Sequence, residues 1–243
     1  MAKFGLIGKN IDYSFSQEYF IRKFERENLA HTFQNFDISS IEAIKNIISK
    51  NKDLKGLNIT IPYKESIIPY LDKIDKEAKS IGAVNTIKIE KDNTLIGYNT
   101  DNYGFAKALI DFFPLTNKKA LVLGTGGASK AITYVLDALN FEYKCISRTK
   151  GDNCLSYNQL SGSIIEEHRL IVNCTPLGTH PNINECPTIP YRYLNENHLL
   201  FDLVYNPAET LFLKKGKSRN ARTSNGLIML EYQAEKSWRI WNS

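Results

Sequence analysis

The chain has 243 residues, 42% of them hydrophobic and 23% charged, with a formal net charge of +5. That length holds one large domain or two small ones, and the composition is ordinary for a soluble globular protein. No apolar run reaches the roughly 18 residues of a membrane span, and so modest a charge does not call for a nucleic-acid partner.

The densest basic stretch, Lys214, Lys215, Lys217, Arg219 and Arg222, reads as a solvated helix end and loop, because no aromatic residue interleaves there to stack on bases. Cys145, Cys154, Cys174 and Cys186 form no C-x-x-C pair, and the four histidines do not cluster with them. This argues against a metal site and against a disulfide framework, and for reduced thiols in a cytoplasmic protein. The opening residues 1–8 read as a short strand; they lack the long apolar region and cleavage site of a signal peptide.

In chain order, residues 4–7 form a short apolar run. Residues 16–28 place Phe20, Ile21 and Phe24 at helical spacing. Residues 32–38 alternate in the strand manner. Ser39 and Ser40 then precede Ile41, Ile44, Ile47 and Ile48, a cap signal followed by an amphipathic stripe. Residues 54–61 read as a strand stopped at Pro62. Residues 85–89 and 94–98 flank Asp92-Asn93, a hairpin signal. A helix is expected over 101–113, with Pro114 at its end. Strands follow at 119–123, 143–147, 170–173 and 199–204, with a helix over 128–139. Residues 226–241 are a helix carrying Leu227, Leu230, Ala234, Trp238 and Trp241 at helical spacing. Strands alternating with helices imply an α/β protein with mainly parallel sheets.

The strand Leu121-Val122-Leu123 runs into Gly124-Thr125-Gly126-Gly127-Ala128-Ser129. Gly124 allows a tight turn, and Gly126 lets the backbone approach a pyrophosphate whose charge the following helix N-terminus favours. Ser129 stands where the usual fingerprint has Gly or Ala. The second strand of such a unit ends here in Ser147-Arg148-Thr149-Lys150. It offers no acid for the 2′-hydroxyl of NAD. Arg148 can stack on adenine and pair with a 2′-phosphate while Ser147, Thr149 and Lys150 add donors, so NADP is the expected cofactor.

A second set of polar residues precedes that turn. Ser14 and Ser16 are two apart, so in an extended segment both hydroxyls point one way and can hold a carboxylate. As a helix-capping pair they need no ligand. Thr60 shares strand parity with Asn58, so both can face a cleft while Leu57, Ile59 and Ile61 face a core. Lys64 follows Pro62, and Asn85 and Asp101 lie further on. Such a set suits a small polyhydroxylated acid.

Taken together, Ser14-x-Ser16, Asn58-x-Thr60-x-Pro62-x-Lys64, Ile81-Gly82-Ala83-Val84-Asn85-Thr86 and Gly97-x-Asn99-Thr100-Asp101 resemble the shikimate dehydrogenase family. The match continues through Gly124-x-Gly126-Gly127-Ala128, Asn173-x-Thr175-Pro176-x-Gly178, Asp202-x-x-Tyr205-x-Pro207 and Gly226-x-x-Met229-Leu230-x-x-Gln233, over nearly the whole chain. The resemblance implies that Ser14 and Ser16 bind the substrate carboxylate, with Tyr205 close to it. It implies that Thr60, Asn85, Asp101 and Gln233 bind ring hydroxyls, and that Lys64 and Asp101 form the catalytic pair. Gly124, Gly126, Gly127, Ala128, Ser147, Arg148, Thr149, Lys150 and Gly226 would hold NADP. Asn173, Thr175 and Gly178 would lie near its ribose and nicotinamide. Three residues depart from the family pattern: Tyr13 replaces the usual His, Gln17 the usual Pro, and Thr179 a frequent methionine.

The implied reaction is the reversible NADPH-dependent reduction of 3-dehydroshikimate to shikimate, on the route to chorismate and the aromatic amino acids, without a metal. The implied architecture has a substrate domain over 1–101, a Rossmann-type doubly wound NADP domain over 102–222, and a terminal helix over 223–243 that rejoins the first domain. The expected molecule is a cytoplasmic monomer or homodimer that binds neither nucleic acid nor membrane. The rival readings are a quinate/shikimate dehydrogenase using NAD, against which Ser147-Arg148-Thr149-Lys150 counts, and a catalytically silent shikimate-binding module, against which the retention of Lys64 and Asp101 counts.

Overall fold

In the computed structural model the alternating apolar strands and helical stripes condense into two compact units, Met1–Thr100 with Gln233–Ser243, and Asp101–Tyr232. The structure describes residues 1–11, 14–112, 117–148 and 154–243.

The first unit comprises β1 (Lys3–Gly8), α1 (Phe15–Arg26), β2 (Thr32–Asp37), α2 (Ile44–Lys50), β3 (Leu54–Ile59), β4 (Lys73–Ile74), α3 (Lys76–Ile81), β5 (Thr86–Ile89) and β6 (Leu95–Tyr98). Its sheet runs β2-β1-β3-β5-β6-β4 and is mixed. β1 pairs in parallel with β2 and β3, while β3, β5 and β6 are successively antiparallel. The β5–β6 turn uses Asn93 at φ 67°, with Asp92 Oδ1 accepting the Thr94 N–H at 3.0 Å. Strand alternation divides the core between the faces. Phe4 and Leu6 join Phe20, Phe24, Phe33 and Trp241, whereas Ile7 joins Leu57, Ile59, Ile44 and Ile87. Ile61 departs from the expected core face and is 65% exposed. β3 ends at Ile59, and the chain then turns with the Tyr63 N–H donating to the Thr60 carbonyl at 2.9 Å, so strand parity no longer applies at residue 61.

The second unit comprises α4 (Asp101–Phe112), β7 (Lys119–Leu123), α5 (Gly127–Ala138), β8 (Glu142–Ser147), β9 (Cys154–Ser156), α6 (Gly162–Glu167), β10 (Leu170–Asn173), β11 (Leu199–Asp202), α7 (Leu211–Lys217), β12 (Arg222–Ser224) and the start of α8 (Leu227–Trp241). Its sheet is parallel throughout, in the order β12-β11-β10-β7-β8-β9. Ala120, Val122, Val172 and Phe201 pack on one face, and Leu121, Leu123, Ile171 and Leu200 on the other. Both faces are covered, as a buried parallel sheet requires. The strand order reverses between β7 and β10, the switch point at which doubly wound sheets bind ligands.

The chain leaves the second unit at Tyr232, so β12 and the first residues of α8 pack with that unit while Gln233 onward packs with the first. The buried stripe of α8 differs from the expected one at its start. Leu227 is 38% exposed, and Met229 fills the core instead.

Candidate active site

In the first unit, Ser14 is the N-cap of α1, with φ −68° and ψ 125°, and its Oγ accepts the Ser16 N–H at 3.2 Å. Ser16 is therefore already helical, and the shared direction expected of an extended pair does not hold. The capping reading describes Ser14, which leaves Ser16 without a capping duty. Both are half-buried, as is Gln17 within the same first turn. Tyr13 lies outside the described residues.

Thr60, Lys64 and Asn85 are set at one end of the sheet by backbone hydrogen bonds. Thr60 follows β3 and donates its N–H to the Ile7 carbonyl at 2.9 Å. The Lys64 carbonyl accepts the Val84 N–H at 2.7 Å, and the Asn85 carbonyl accepts the Ile59 N–H at 2.8 Å. β3 and β5 are antiparallel, so the end of one meets the beginning of the other. Tyr63 anchors the intervening turn by donating its hydroxyl to the Ile38 carbonyl at 2.7 Å.

The Asn85 side chain is 2% exposed and joins two distant segments. Its Oδ1 accepts the Thr100 backbone N–H at 2.7 Å, while its Nδ2 donates to Gln233 Oε1 at 2.9 Å and to the Thr100 hydroxyl at 3.0 Å. Asn85 and Gln233, two of the residues singled out in the sequence, thus meet directly. Beneath them, Asn58, Thr86, Thr100 and Ser237 form a buried hydrogen-bonded group. Sequence reasoning placed Asn58 on the cleft side and passed over the other three as functional residues. Thr86 and Thr100 sat inside the quoted motifs, and Ser237 lies one helical turn beyond Gln233.

In the second unit, Asp101 begins α4 and is 4% exposed, where a carboxylate complements the helix dipole. β7 delivers the glycine turn to the switch point. Gly124 has φ +103°, a conformation that a side chain strains, and donates its N–H to the Ile146 carbonyl at 2.8 Å. Gly126 is the N-cap of α5, without a side-chain cap, and a Cβ built on it would meet open space. The first-turn N–H groups at Gly127 and Ala128 are left by helix geometry to seek an outside acceptor. Ser129 turns inward and donates its hydroxyl to the Gly126 carbonyl at 2.6 Å. At the end of β8, Ser147 is half-buried and Arg148 exposed; Thr149 and Lys150 lie outside the described residues. An open helix N-terminus and an exposed guanidinium, following the ends of the paired strands β7 and β8, fit the pyrophosphate and 2′-phosphate of NADP.

Asn173 ends β10 and is fully buried. Its Oδ1 accepts from the Thr175 N–H at 3.0 Å and the Thr175 hydroxyl at 2.6 Å, and its Nδ2 donates to Asp202 Oδ1 at 2.9 Å. Gly178 follows at φ +89°, and Thr179, beside it, is half-buried. Asp202 also accepts from the Val204 N–H at 3.0 Å and the Thr210 hydroxyl at 2.6 Å. Burial outweighs these donors and raises its carboxyl to about 6. Asp202 and Thr210, neither singled out as a site residue in the sequence, brace Asn173. Tyr205 is half-buried just past β11. A Cβ at Gly226 would lie 2.2 Å from the Leu203 carbonyl oxygen, so no side chain fits there. Among the described residues no group of three or more His, Cys, Asp or Glu is placed to hold a metal, and no helix is long and apolar enough to cross a membrane.

Comparison with known proteins places this arrangement. A sequence model of the shikimate dehydrogenase substrate binding domain matches residues 6–87. The chain is 38% identical to the shikimate dehydrogenase (NADP(+)) of Methanococcus vannielii, over 98% of this chain and 90% of the relative. Among solved structures, shikimate dehydrogenase 1 of Peptoclostridium difficile superposes with a TM-score of 0.86 at 38% identity, covering 100% of this chain and 92% of that one. The shikimate 5-dehydrogenase of Thermus thermophilus, solved in complex with NADP(H) and shikimate, superposes with a TM-score of 0.88 at 30% identity, covering 99% and 93%. Similarity of this extent, over nearly the whole chain, makes the chain a member of the shikimate dehydrogenase family.

Proposed function

We propose that this protein catalyses the reversible NADPH-dependent reduction of 3-dehydroshikimate to shikimate, a step toward chorismate and the aromatic amino acids. The observation that carries this reading is the meeting of Asn85, Thr100 and Gln233, three polar residues far apart in the chain, beside the strand ends that bear Thr60 and Lys64. Close-set amide and hydroxyl groups recognise a ring bearing several hydroxyls. The full-length kinship with NADP(+)-dependent relatives, one of them solved with both NADP(H) and shikimate, supports the same substrate and cofactor.

Membership of the family suggests the roles. Ser16, with Ser14 and Tyr205, receives the substrate carboxylate; Thr60, Asn85, Asp101 and Gln233 receive its hydroxyls. The α5 N-terminus at Gly124, Gly126, Gly127 and Ala128 takes the pyrophosphate. Arg148, with Ser147, Thr149 and Lys150, takes the 2′-phosphate, while Asn173, Thr175, Gly178 and Gly226 shape the ribose and nicotinamide end. Bound NADPH supplies the hydride. Lys64, as an ammonium, stabilises the developing alkoxide and donates its proton, with Asp101 as the second catalytic group. In the oxidative direction Lys64 must first release a proton, so that direction gains as pH rises. Free thiols at all four cysteines support action in the cytoplasm.

The test is nicotinamide absorbance with purified protein, crossing shikimate and quinate with NADP and NAD. Turnover with shikimate and NADP is expected. Preferential turnover of quinate or use of NAD moves the protein to the broader-specificity relatives, and binding of shikimate without turnover in any pairing makes it a silent binding module.

A further inference from the structure

One backbone donor settles the orientation of two amides in the first unit. The Thr100 N–H can only donate, so the Asn85 atom 2.7 Å from it is Oδ1. Asn85 Nδ2 must then face the other way, toward Gln233 at 2.9 Å, and because Nδ2 also only donates, the Gln233 atom it meets is Oε1. Gln233 Nε2, with two hydrogens, is thereby assigned to the side away from Asn85.

What holds this arrangement is buried. Ser237, fully enclosed, lies one turn after Gln233 on α8 and donates its hydroxyl to the Gln233 carbonyl at 3.0 Å. Its Oγ is 2.8 Å from the Thr86 hydroxyl and 3.2 Å from the Thr100 hydroxyl, and it accepts from Asn58 Nδ2 at 3.1 Å. Thr86 in turn donates to Asn85 Oδ1 at 3.1 Å. Ser237 therefore touches the backbone of Gln233 and both hydroxyls that flank Asn85. A buried network of this kind admits few alternative arrangements, because each rotation leaves an enclosed polar atom unsatisfied.

We propose that Ser237 is a positioning residue that, through Thr86, Thr100 and Asn85, holds Gln233 with its amide N–H groups presented to the substrate, so that this corner of the site requires a hydrogen-bond acceptor on the ligand. The inference rests on the reading of Asn85 and Gln233 as substrate-binding residues. A ring hydroxyl or carbonyl satisfies the requirement; a protonated amine at the same ring position does not, since it brings donors to donors. Ser237 acts on binding geometry and touches no reacting atom, so its effect falls on substrate affinity.

The experiment is a double-mutant cycle on the full chain, with shikimate and NADP affinities measured by calorimetry, KM and kcat by nicotinamide absorbance, and Tm by calorimetric melting. Ser237→Ala is expected to weaken shikimate binding about five- to tenfold, the scale of one buried hydrogen bond, with kcat within about twofold and NADP affinity unchanged. In a Gln233→Ala background the same substitution should have no further effect on shikimate. Equal losses in both backgrounds, or parallel losses in shikimate and NADP affinity, would overturn the proposal by showing a merely structural role. Gln233→Glu tests the polarity should Ser237→Ala fail to fold. It keeps an acceptor for Asn85 but loses the outward donors, and shikimate binding should fall at least tenfold; wild-type affinity in that variant would refute the donor assignment. Wild-type protein that binds no shikimate at all would overturn the functional reading and this inference together, whereas wild-type binding with an additive cycle overturns this inference alone.

Discussion

At the scale of single residues, the proposed chemistry divides between one proton donor, Lys64, and one phosphate reader, Arg148. Lys64 has its backbone pinned through the Val84 N–H, so replacing its side chain should leave the turn intact. Lys64→Ala is expected to lower kcat by about 100- to 10,000-fold, the usual contribution of a general acid, with a much smaller change in KM for shikimate. Steady-state kinetics would check this, and near wild-type turnover would rule Lys64 out as the acid. Arg148 is exposed at the end of β8, where its removal costs little packing. A charge-assisted hydrogen bond contributes about 1.5–3 kcal/mol, so Arg148→Ala should raise KM for NADP about 10- to 100-fold while KM for NAD stays nearly constant. Arg148 was singled out from local chemistry, as a cation where an acid would select the other cofactor, whereas Lys64 by itself reads as a surface charge and drew its expected role from the family resemblance.

At the scale of elements, helix and strand ends do the placing. The start of α1 gives Ser14 a capping duty that Ser16 does not share. Ser14→Ala should destabilise by about 1 kcal/mol through the lost cap and Ser14→Gly by only a few tenths, whereas Ser16→Ala should leave Tm almost unchanged and weaken shikimate binding. Thermal melts paired with shikimate titrations would separate these effects, and a Ser16→Ala variant with unaltered affinity would remove that serine from the site. The ends of β10 and β11 are tied by Asp202, whose carboxyl burial raises to about 6 from an ordinary value of 3.8. A raised folded-state value means that the native protein holds this proton more tightly than the unfolded chain. The stabilisation is complete below the unfolded value and disappears as pH rises through about 6, with a slope of up to about 1.4 kcal/mol per pH unit between the two. In Asp202→Asn the amide oxygen can still accept from Asn173 and Val204, and its nitrogen can donate to the Thr210 hydroxyl. Melting curves across that window should therefore show a component in the wild type that the variant lacks. Identical pH profiles would place the carboxyl at an ordinary value.

At the scale of the whole chain, α8 is the element on which the first unit depends. Trp241 stacks on Phe4 at 4.9 Å, packs against Phe20 at 5.2 Å, and donates its indole N–H to the Ile87 carbonyl at 3.0 Å. A side chain of that size closes the aromatic core of a unit built mostly from the first hundred residues. Trp241→Ala is expected to cost about 3–5 kcal/mol, measured by denaturant unfolding, and to impair shikimate binding more than NADP binding. A loss below about 1 kcal/mol would show that the first unit's core closes without the end of α8. Lys23 reinforces the same junction. Although buried, it is paired with Glu27 at 2.8 Å and with Glu235 of α8 at 2.9 Å, the pairing that an enclosed charge requires.

Much of this protein was determined by its sequence alone. The parallel strands of the second unit, the glycine turn at its switch point and the cation at the end of β8 follow from apolar periodicity, backbone freedom at Gly124 and charge, all of which act within a few residues. Kinship with the family followed from eight short motifs in order, and named Asn85 and Gln233 without their geometry. Only the tertiary structure decided the rest. It released Ile61 from the core because β3 ends two residues earlier, separated Ser14 from Ser16 because α1 begins between them, and gave Met229 the place expected for Leu227. It also joined Asn85 to Gln233 across 148 residues and placed Ser237 beneath both. The physical reason is range: strand and helix periods are written in neighbouring residues, whereas a hydrogen-bonded network among distant side chains exists only once packing has brought α8 against β3 and β5.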